Sequence, residues 1–362
     1  MRPKAHIVDL PVYQPGRSIE EIKRAYGLTE VIKLASNENP FGCSPRVHEA
    51  VTRALSSANR YPDGAATALR RALAAHLGVA EEALIFGNGS DEIVQLIARA
   101  YLAPGASTVM AHPTFPRYKT NAVIEGACVI EVPLKDGRHD LDAMAEAVTE
   151  DTRVVWVCNP NNPTGTIVTH DELVAFLARV PRTVLVVLDE AYVEYVTDPR
   201  FPRSLALLRE HENLILLRTF SKIYGLAGFR IGYGIAAPAV IDALNRVREP
   251  FNTSFVAQEA ALAALDDQAF VEACVQQNEK GKQQLYEGFA RLGLRHYETH
   301  GNFILVDVGR PAGPVFEALL RQGVIVRSGE ALGFPTALRV TIGDEAQNRR
   351  VLEALAAALV EA

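Results

Sequence analysis

VLVVLDEAY, residues 184–192, is an apolar run that ends in two carboxylates. Runs of this kind, rich in β-branched residues and bounded by polar ones, are typical of buried strands in a parallel sheet. Three other runs have the same form: residues 83–86 lead into GNGSDE, residues 154–158 lead into NPNNPTG, and residues 214–217 lead into the loop that carries Lys222. Because the carboxyl ends of parallel strands meet at one edge of a sheet, we expect these four loops to form one site.

The rest of the chain predicts an α/β fold in two parts. From about residue 44 to residue 264, short β-branched runs alternate with helical patterns, which predicts a mostly parallel sheet covered by helices on both faces. After Asp266, a long helical pattern is followed by short strands and a closing amphipathic helix. We therefore predict a large α/β domain at residues 44–266. A smaller α+β domain is predicted from residues 267–362 together with an N-terminal arm, residues 1–43.

The composition favours a protein that acts on small molecules. The chain has 362 residues, a formal net charge of −6 and no basic block, so neither nucleic acid nor an anionic membrane is an expected partner. No apolar stretch approaches the ~20 residues that a membrane-spanning helix needs. The four cysteines are scattered without a C-x-x-C pair, which fits reduced thiols. We therefore expect a cytoplasmic protein without a metal site.

The loop around Lys222 indicates covalent catalysis. A lysine amine forms an imine with an aldehyde, and pyridoxal 5'-phosphate (PLP) is the aldehyde cofactor whose needs match the neighbouring loops. The pyridine nitrogen of PLP must stay protonated, and Asp189 at a strand end is the candidate carboxylate for that task. The ring hydroxyl oxygen needs hydrogen-bond donors, for which Asn162 and Tyr192 are suitable residue types.

The phosphate of such a cofactor needs backbone amides at the start of a helix and a fixed cation. Gly89, Ser90 and Asp91 lead into a helix that is predicted to begin at Glu92, and they supply the amides. Arg230 supplies the cation, with the hydroxyl of Ser221 beside it, because a guanidinium pairs with phosphate through two parallel hydrogen bonds. These five residues are the predicted phosphate ligands.

Other classes of protein fit single motifs rather than the whole pattern. Asp189 after an apolar run imitates the metal-binding strand of a nucleotide hydrolase, but the chain contains no G-x-x-x-x-G-K-[ST] loop. Ser221 next to Lys222 suggests a serine hydrolase, but neither S-x-x-K nor G-x-S-x-G is present. A non-catalytic cofactor-binding sensor is a further alternative, which the intact Lys222 and the lack of a DNA-binding motif disfavour.

Taken together and in this order, the four loops resemble those of the PLP-dependent aminotransferases of fold type I, and the resemblance covers nearly the whole chain. Within that superfamily the chain is most similar to the histidinol-phosphate aminotransferases. The similarity is carried by YQPG at residues 13–16, LASNENPFG at residues 34–42, RYPDG at residues 60–64 and the loop that starts at Gly87. The resemblance implies a homodimeric transaminase of histidine biosynthesis that follows ping-pong kinetics.

The resemblance also implies roles for single residues. Lys222 would be the Schiff-base lysine, Asp189 the partner of the pyridine nitrogen, and Tyr61 a ligand to the phosphate of the neighbouring subunit's cofactor. Many relatives stack a tyrosine on the cofactor ring where this chain has Phe115, which keeps the stacking face and lacks the hydroxyl. The other implied cofactor ligands are those already predicted: Asn162, Tyr192, Gly89, Ser90, Asp91, Ser221 and Arg230.

The substrate is the part that the sequence determines least. Arg339 resembles the arginine that binds a substrate carboxylate in this superfamily, and Arg327 lies close to it in the predicted small domain. In histidinol-phosphate aminotransferases the pair would serve the substrate phosphate and also accept 2-oxoglutarate, which becomes glutamate. Tyr13 and Asn37 are implied pocket residues. Because the arginines do not separate histidinol phosphate from an aromatic amino acid, an aromatic amino-acid aminotransferase stays open, as does a phospho-amino-acid decarboxylase.

Overall fold

The computed structural model of the protein describes residues 3–12 and 16–361. In chain order the strands are β1 (Ile32–Lys33), β2 (Leu84–Gly87), β3 (Ser107–His112), β4 (Cys128–Pro133), β5 (Thr152–Cys158), β6 (Leu185–Asp189), β7 (Leu214–Thr219), β8 (Gly232–Ala236), β9 (Arg295–His296), β10 (Phe303–Asp307), β11 (Val324–Ile325), β12 (Arg327–Ser328) and β13 (Ala337–Thr341). The α-helices are α1 (Ile19–Tyr26), α2 (Pro45–Ala54), α3 (Thr67–Leu77), α4 (Ser90–Tyr101), α5 (Arg117–Ile124), α6 (Leu141–Glu146), α7 (His170–Arg179), α8 (Ser204–Leu207), α9 (Pro238–Asn245), α10 (Phe255–Leu265), α11 (Gln268–Arg291), α12 (Ala312–Arg321) and α13 (Glu345–Glu361).

The largest sheet has seven strands in the order β2-β8-β7-β6-β5-β3-β4. Strands β7, β6, β5, β3 and β4 pair in parallel, and β8 lies antiparallel between β2 and β7. The carboxyl ends of β2, β5, β6 and β7 therefore lie at the same edge of the sheet, where the four predicted loops begin. This topology confirms the predicted α/β fold class with a mostly parallel sheet.

Helices cover both faces of this sheet. On β6, Val186 and Leu188 belong to one hydrophobic core, whereas Leu185 and Val187 belong to the other. The division follows from strand geometry, because successive side chains point to opposite faces. Helices α2, α3, α7 and α10 pack against the first face, and α4, α5 and α9 pack against the second. Strands buried on both faces need apolar residues at every position, which explains the continuous apolar runs in the sequence.

The C-terminal part of the chain forms a four-stranded antiparallel sheet in the order β12-β13-β10-β9. Ile304 and Val340 belong to its core, which α11, α12 and α13 cover. β1 pairs in parallel with β11, and Ile22 of α1 packs with Leu320 and Ile325. The N-terminal segment therefore contacts the C-terminal part, although the domain boundaries at residues 44 and 266 stay predictions.

Two elements differ from the sequence expectation. The sequence pattern does not predict β8, because Gly232 and Gly234 weaken the strand signal of GYGIA. The structure explains Gly232, since a Cβ there would collide with the backbone nitrogen of Ser90. The predicted helix at Glu92 begins earlier, at Ser90. No helix within residues 3–12 and 16–361 is long and apolar enough to cross a membrane.

Candidate active site

Lys222 lies in the turn that follows β7, at the carboxyl edge of the large sheet. Its Nζ donates a hydrogen bond to the main-chain oxygen of Ser36 at 3.1 Å and lies 5.8 Å from the centre of the Tyr192 ring. Asn39 holds the same turn, because its Nδ2 donates to the main-chain oxygen of Ile223 at 2.7 Å. The structure thus brings the N-terminal stretch that contains Ser36 and Asn39 against the lysine turn.

The surroundings of the Lys222 amine favour its neutral form. Burial lowers the pKa of Lys222 to about 8, and the guanidinium groups of Arg339 and Arg230 act in the same direction. The carboxylates of Glu38 and Asp189 oppose this shift of the pKa. An amine with such a pKa is partly unprotonated at neutral pH, so it is available as a nucleophile and as a base.

Asp189 is the last residue of β6 and is only 4% exposed. Its Oδ2 accepts a hydrogen bond of 2.6 Å from the hydroxyl of Tyr118, whereas its buried Oδ1 has no partner in the part of the chain that the structure describes. Burial raises the pKa of Asp189 to about 6, and the hydrogen bond from Tyr118 opposes that rise. A buried oxygen without a partner is costly, and a protonated ring nitrogen would satisfy it.

Tyr118 is a residue of this site that the sequence analysis does not identify. It is the second residue of α5 and is fully buried, with its ring stacked on Trp156 at a centroid distance of 4.8 Å. Its partner Asp189 is 71 residues further along the chain. The only signal in the sequence is a tyrosine that follows Phe115 closely, because nothing local indicates which carboxylate it meets.

Tyr192 and Asn37 form a buried network with Thr341. The Tyr192 hydroxyl accepts a hydrogen bond of 3.0 Å from Asn37 Nδ2, and burial raises the pKa of Tyr192 to about 12, so the hydroxyl keeps its proton. Thr341 Oγ1 donates to Asn37 Oδ1 at 3.1 Å and accepts from the Asn37 backbone nitrogen at 2.9 Å. The network therefore fixes the Tyr192 hydroxyl between the N-terminal segment and β13.

Arg339, a predicted substrate residue, contacts a predicted cofactor residue. Its Nη1 donates to Asn162 Oδ1 at 2.6 Å, and its Nη2 donates to the main-chain oxygen of Ala35 at 2.7 Å. Arg327 on β12 is the direct cross-strand partner of Arg339 on β13. Because directly opposed residues of an antiparallel pair share a face, the two arginines offer their charges on the same side of the small sheet.

The start of α4 and Arg230 form a candidate anion site. Gly89 caps α4 with a φ of 77° and has no side chain that could accept from the first helical amides. A Cβ on Gly89 would lie 2.5 Å from Arg230 Nη2, so the guanidinium lies directly against the helix start. Arg230 Nη1 also donates to Ser221 Oγ at 3.5 Å. An anion bound here would meet the amides of the helix start, including that of Ser90, a hydroxyl and a cation.

The side chains of Asp91 and Phe115 have other partners. The Asp91 carboxylate accepts from Arg117 Nε at 3.2 Å, which leaves its backbone amide as the group that could serve a phosphate. Phe115 packs edge-on against Tyr118 with ring centroids 5.4 Å apart. Phe115 therefore lies beside the residue that contacts Asp189, and its predicted stacking on a cofactor ring stays a prediction.

One predicted residue, Tyr61, lies outside this cluster. Tyr61 is 83% exposed and stacks on Phe251, with ring centroids 4.8 Å apart. An exposed aromatic pair is compatible with the role of Tyr61 in a neighbouring subunit, which stays a prediction. Tyr13 lies outside the described residues.

The residues of this site fit PLP. The unpartnered Oδ1 of Asp189 suits a protonated ring nitrogen, and the protonated hydroxyl of Tyr192 suits a ring oxygen. The start of α4 with Arg230 suits a phosphate, and the amine of Lys222 suits an aldehyde. Residues 3–12 and 16–361 contain no group of three or more His, Cys, Asp or Glu residues that could hold a metal ion.

Comparisons with known proteins agree with this class of site. A family model described as aminotransferase class I and II matches residues 29–355. The fold and the site thus define an aminotransferase of that class. A crystal structure of histidinol-phosphate aminotransferase from Sinorhizobium meliloti, in complex with pyridoxal-5'-phosphate, superimposes with a TM-score of 0.91, with 30% sequence identity, 99% of this chain and 98% of that chain covered.

Curated relatives are more similar still. The chain is 58% identical to histidinol-phosphate aminotransferase of Geobacillus sp. (strain WCH70), over 100% of this chain and 99% of that protein. It is 57% identical to histidinol-phosphate aminotransferase of Bacillus subtilis (strain 168), over 98% of this chain and 99% of that protein. The chain therefore belongs to the class I and II aminotransferases and, among them, to the histidinol-phosphate aminotransferase family.

Proposed function

We propose that this protein transfers an amino group between L-histidinol phosphate and 2-oxoglutarate, with PLP as its cofactor. The full-length similarity to histidinol-phosphate aminotransferases supports the substrate, since the relatives carry that name. The observation that carries the proposed chemistry is the buried, unpartnered Oδ1 of Asp189, which lies at the same edge of the sheet as the Lys222 amine. Such a pairing of carboxylate and lysine is what a pyridinium aldehyde requires.

PLP, when bound, supplies a protonated ring that withdraws electrons from the carbon bearing the transferred amino group. Lys222 would hold the aldehyde carbon and, once released, would move a proton at the substrate carbon, a role that suits an amine with a pKa of about 8. Asp189 would hold the proton on the ring nitrogen. Asn162 and Tyr192 would donate to the ring oxygen, while Gly89, Ser90, Asp91, Ser221 and Arg230 would hold the phosphate.

The two arginines of the small sheet would bind the anionic end of either substrate. Arg339 is fixed by Asn162 and Ala35, and Arg327 is its cross-strand partner, so a phosphate or a carboxylate could pair with both guanidinium groups. Histidinol phosphate and 2-oxoglutarate would then occupy the same place in turn. We therefore propose ping-pong kinetics, in which the first product leaves before the second substrate binds. Asn37 and Tyr13 are the remaining proposed pocket residues.

A half-reaction without an oxo acid tests the cofactor and the substrate together. The protein loaded with PLP is mixed with histidinol phosphate in one sample and with phenylalanine in another, and the visible absorbance band of the loaded protein is followed. We expect rapid loss of the band with histidinol phosphate and slow loss with phenylalanine. The opposite order would move the protein to aromatic amino-acid metabolism, and the lack of any visible band would contradict the proposed use of PLP.

The assignment of Lys222 has its own test. Lys222→Ala removes the amine that we propose as the covalent anchor and proton carrier, so multiple turnover should be abolished. The measurement is the steady-state formation of glutamate from 2-oxoglutarate and histidinol phosphate. Lys282→Met removes a lysine of α11 that pairs with Glu279 and serves as the matched control, with activity expected near that of the wild type. Substantial turnover by Lys222→Ala would contradict the assignment.

We propose further that the protein acts as a homodimer in which Tyr61 completes the neighbouring subunit's phosphate site. The exposure of Tyr61 and of its stacking partner Phe251 supports this, because exposed aromatic pairs favour an interface. Gel filtration combined with activity tests the idea. A monomer with full activity would contradict it, whereas a dimer whose PLP affinity falls in Tyr61→Ala would support it.

We also propose a cytoplasmic location. Its support is chemical: Cys43, Cys128, Cys158 and Cys274 are all free, which suits a reducing compartment. Fractionation of the producing cells, followed by detection of the protein, tests this proposal directly. Recovery in an exported fraction would contradict it.

A further inference from the structure

Glu190 and Arg218 form a buried ion pair beneath the candidate site. Arg218 Nε donates to Glu190 Oε2 at 2.9 Å, and Arg218 Nη2 lies 2.8 Å from the same oxygen. Glu190 is fully buried and Arg218 is only 8% exposed. A buried ion pair is weak evidence of stabilisation, because removing two charges from water costs about as much as their attraction returns. The pair therefore calls for a role other than stability alone.

The pair lies on the face of the sheet opposite to Asp189. Side chains alternate along a strand, so Arg218 shares a face with Leu214 and Leu216 rather than with Leu217. Glu190 follows Asp189 directly, and its backbone nitrogen continues the ladder by donating to the Leu217 oxygen at 2.8 Å. The two charged side chains thus do not face the cofactor site, and any effect on it must be transmitted through the backbone.

The chain neighbours of the pair carry the proposed chemistry. Glu190 directly follows Asp189 and precedes Tyr192 by two residues. Arg218 precedes Lys222 by four residues. The ion pair therefore ties the end of β6 to the end of β7 at the point where both segments leave the sheet to form the site. A change in this ion pair would alter the distance between the Asp189 carboxylate and the turn that carries Lys222.

We propose that Glu190 and Arg218 are positioning residues, whose pairing sets the distance between Asp189 and the Lys222 turn for cofactor binding and catalysis. This inference rests on the proposed function, since it acts through residues that we assign to PLP. Glu194 completes the cluster: its buried Oε2 has no partner within the described residues, and burial raises the pKa of Glu194 to about 7 while Arg218 opposes the rise. When Glu194 is protonated, Glu190 is the one charged carboxylate of this cluster, and it faces the guanidinium of Arg218.

The chain contains a single tryptophan, Trp156, which offers a direct probe. Trp156 stacks on Tyr118, whose hydroxyl contacts Asp189, so its emission should change when PLP binds beside Asp189. The experiment titrates PLP into cofactor-free wild type, Glu190→Gln, Arg218→Met, the double variant and Arg218→Lys. Lys282→Met, which removes a partly buried ion pair on α11, is the matched control. Unfolding curves and steady-state kinetics are measured on the same proteins.

We expect each single variant to weaken PLP affinity about tenfold. The loss of PLP affinity in the double variant should be no larger than the larger of the two single losses, because the effects of paired residues are not additive. kcat should fall while the KM for histidinol phosphate changes little, since Arg339 lies on another element. Arg218→Lys, which keeps the charge, should recover part of the loss and covers the case in which Arg218→Met does not fold. The control should bind PLP as the wild type does.

Three results would overturn the inference. The first is that the variants lose stability but bind PLP and turn over as the wild type does, which would leave the pair a purely packing role. The second is that the losses of the two single variants add in the double variant. The third is that Arg218→Lys performs no better than Arg218→Met. If the wild type itself does not bind PLP, the proposed function fails instead, so the two failures are distinguishable.

Discussion

Tyr118 donates its hydroxyl proton to Asp189 Oδ2 at 2.6 Å, in a place where PLP would need a charged carboxylate. The hydrogen bond lowers the pKa of Asp189, against the larger effect of burial, which raises that pKa to about 6. Asp189 is therefore mostly charged at neutral pH in the folded chain, and Tyr118 contributes to keeping it so. The Tyr118 hydroxyl thus makes the charge of Asp189 depend on the position of α5.

Tyr118→Phe should lower kcat by about tenfold, because a hydrogen bond to a charged group contributes roughly 1.5–3 kcal/mol. Without it the pKa of Asp189 rises, so the acidic limb of the pH profile of kcat should move to higher pH. The measurement is kcat against pH with histidinol phosphate. Tyr101→Phe, at the end of α4, is the matched control and should leave the profile in place. An unshifted acidic limb in Tyr118→Phe would contradict the role assigned to the hydroxyl.

The N-terminus of α4 is the element on which the candidate phosphate site depends. Gly89 supplies a positive φ and an open surface at once, and a Cβ would meet Arg230 Nη2 at 2.5 Å. The loop before the helix is held by Glu92, whose carboxylate accepts from the Asn88 backbone nitrogen and, at 2.7 Å, from Asn252 Nδ2. The start of α4 and the Arg230 guanidinium thus face the same position for an anion. A side chain larger than that of glycine at residue 89 would obstruct that position.

Gly89→Ala should weaken PLP affinity about tenfold or more, because the added methyl displaces the Arg230 guanidinium from the helix start. It should also cost roughly 1–3 kcal/mol of stability, since a φ of 77° with a ψ of 164° is a backbone conformation that essentially only glycine adopts. Gly27→Ala separates the two effects: Gly27 has a φ of 67° and an ideal Cβ there has no neighbour within 4 Å. PLP titration and unfolding of both variants form the test. Equal PLP affinity in the two variants would contradict the proposed phosphate site.

At the scale of the whole molecule, two buried carboxyl groups make the stability of the cofactor-free protein depend on pH. Burial raises the pKa of Asp189 to about 6 and that of Glu194 to about 7, above their values of 3.8 and 4.5 in an unfolded chain. Between about pH 4 and pH 7 the folded chain therefore holds protons that the unfolded chain has released. Raising the pH through this window removes those protons at a cost, so the contribution of these two groups to stability falls.

We expect the urea midpoint of cofactor-free Asp189→Asn, taken relative to that of the wild type, to rise as pH increases from about 4 to about 6 and then to level off. The change should amount to up to roughly 3 kcal/mol, because the wild type loses the contribution of the Asp189 proton in this range and the variant has no such proton. Asp142→Asn, at a carboxylate whose side chain is 87% exposed, is the control and should keep a constant offset from the wild type. A constant offset between Asp189→Asn and the wild type across this range would contradict the prediction.

The sequence by itself determined the parallel sheet, the order of its loops and most of the proposed cofactor residues. These features are local: strands buried on both faces must be apolar at every position, and ligands follow at their carboxyl ends. The resemblance of those loops to a known family also predicted Arg339 and Asn37 as residues of the site. What the sequence pattern does not predict is β8, since its glycines carry little strand propensity and Gly232 is required by the close approach of the α4 start.

The tertiary structure alone decided which side chains meet. Tyr118 and Asp189 are 71 residues apart, Asn37 and Tyr192 are 155 apart, and Arg339 and Asn162 are 177 apart. Such contacts follow from the order of strands in the sheet and from the docking of the N-terminal segment, neither of which appears in a local pattern. The Glu190–Arg218 pair is of the same kind, because only the pairing of β6 with β7 places its two charges together.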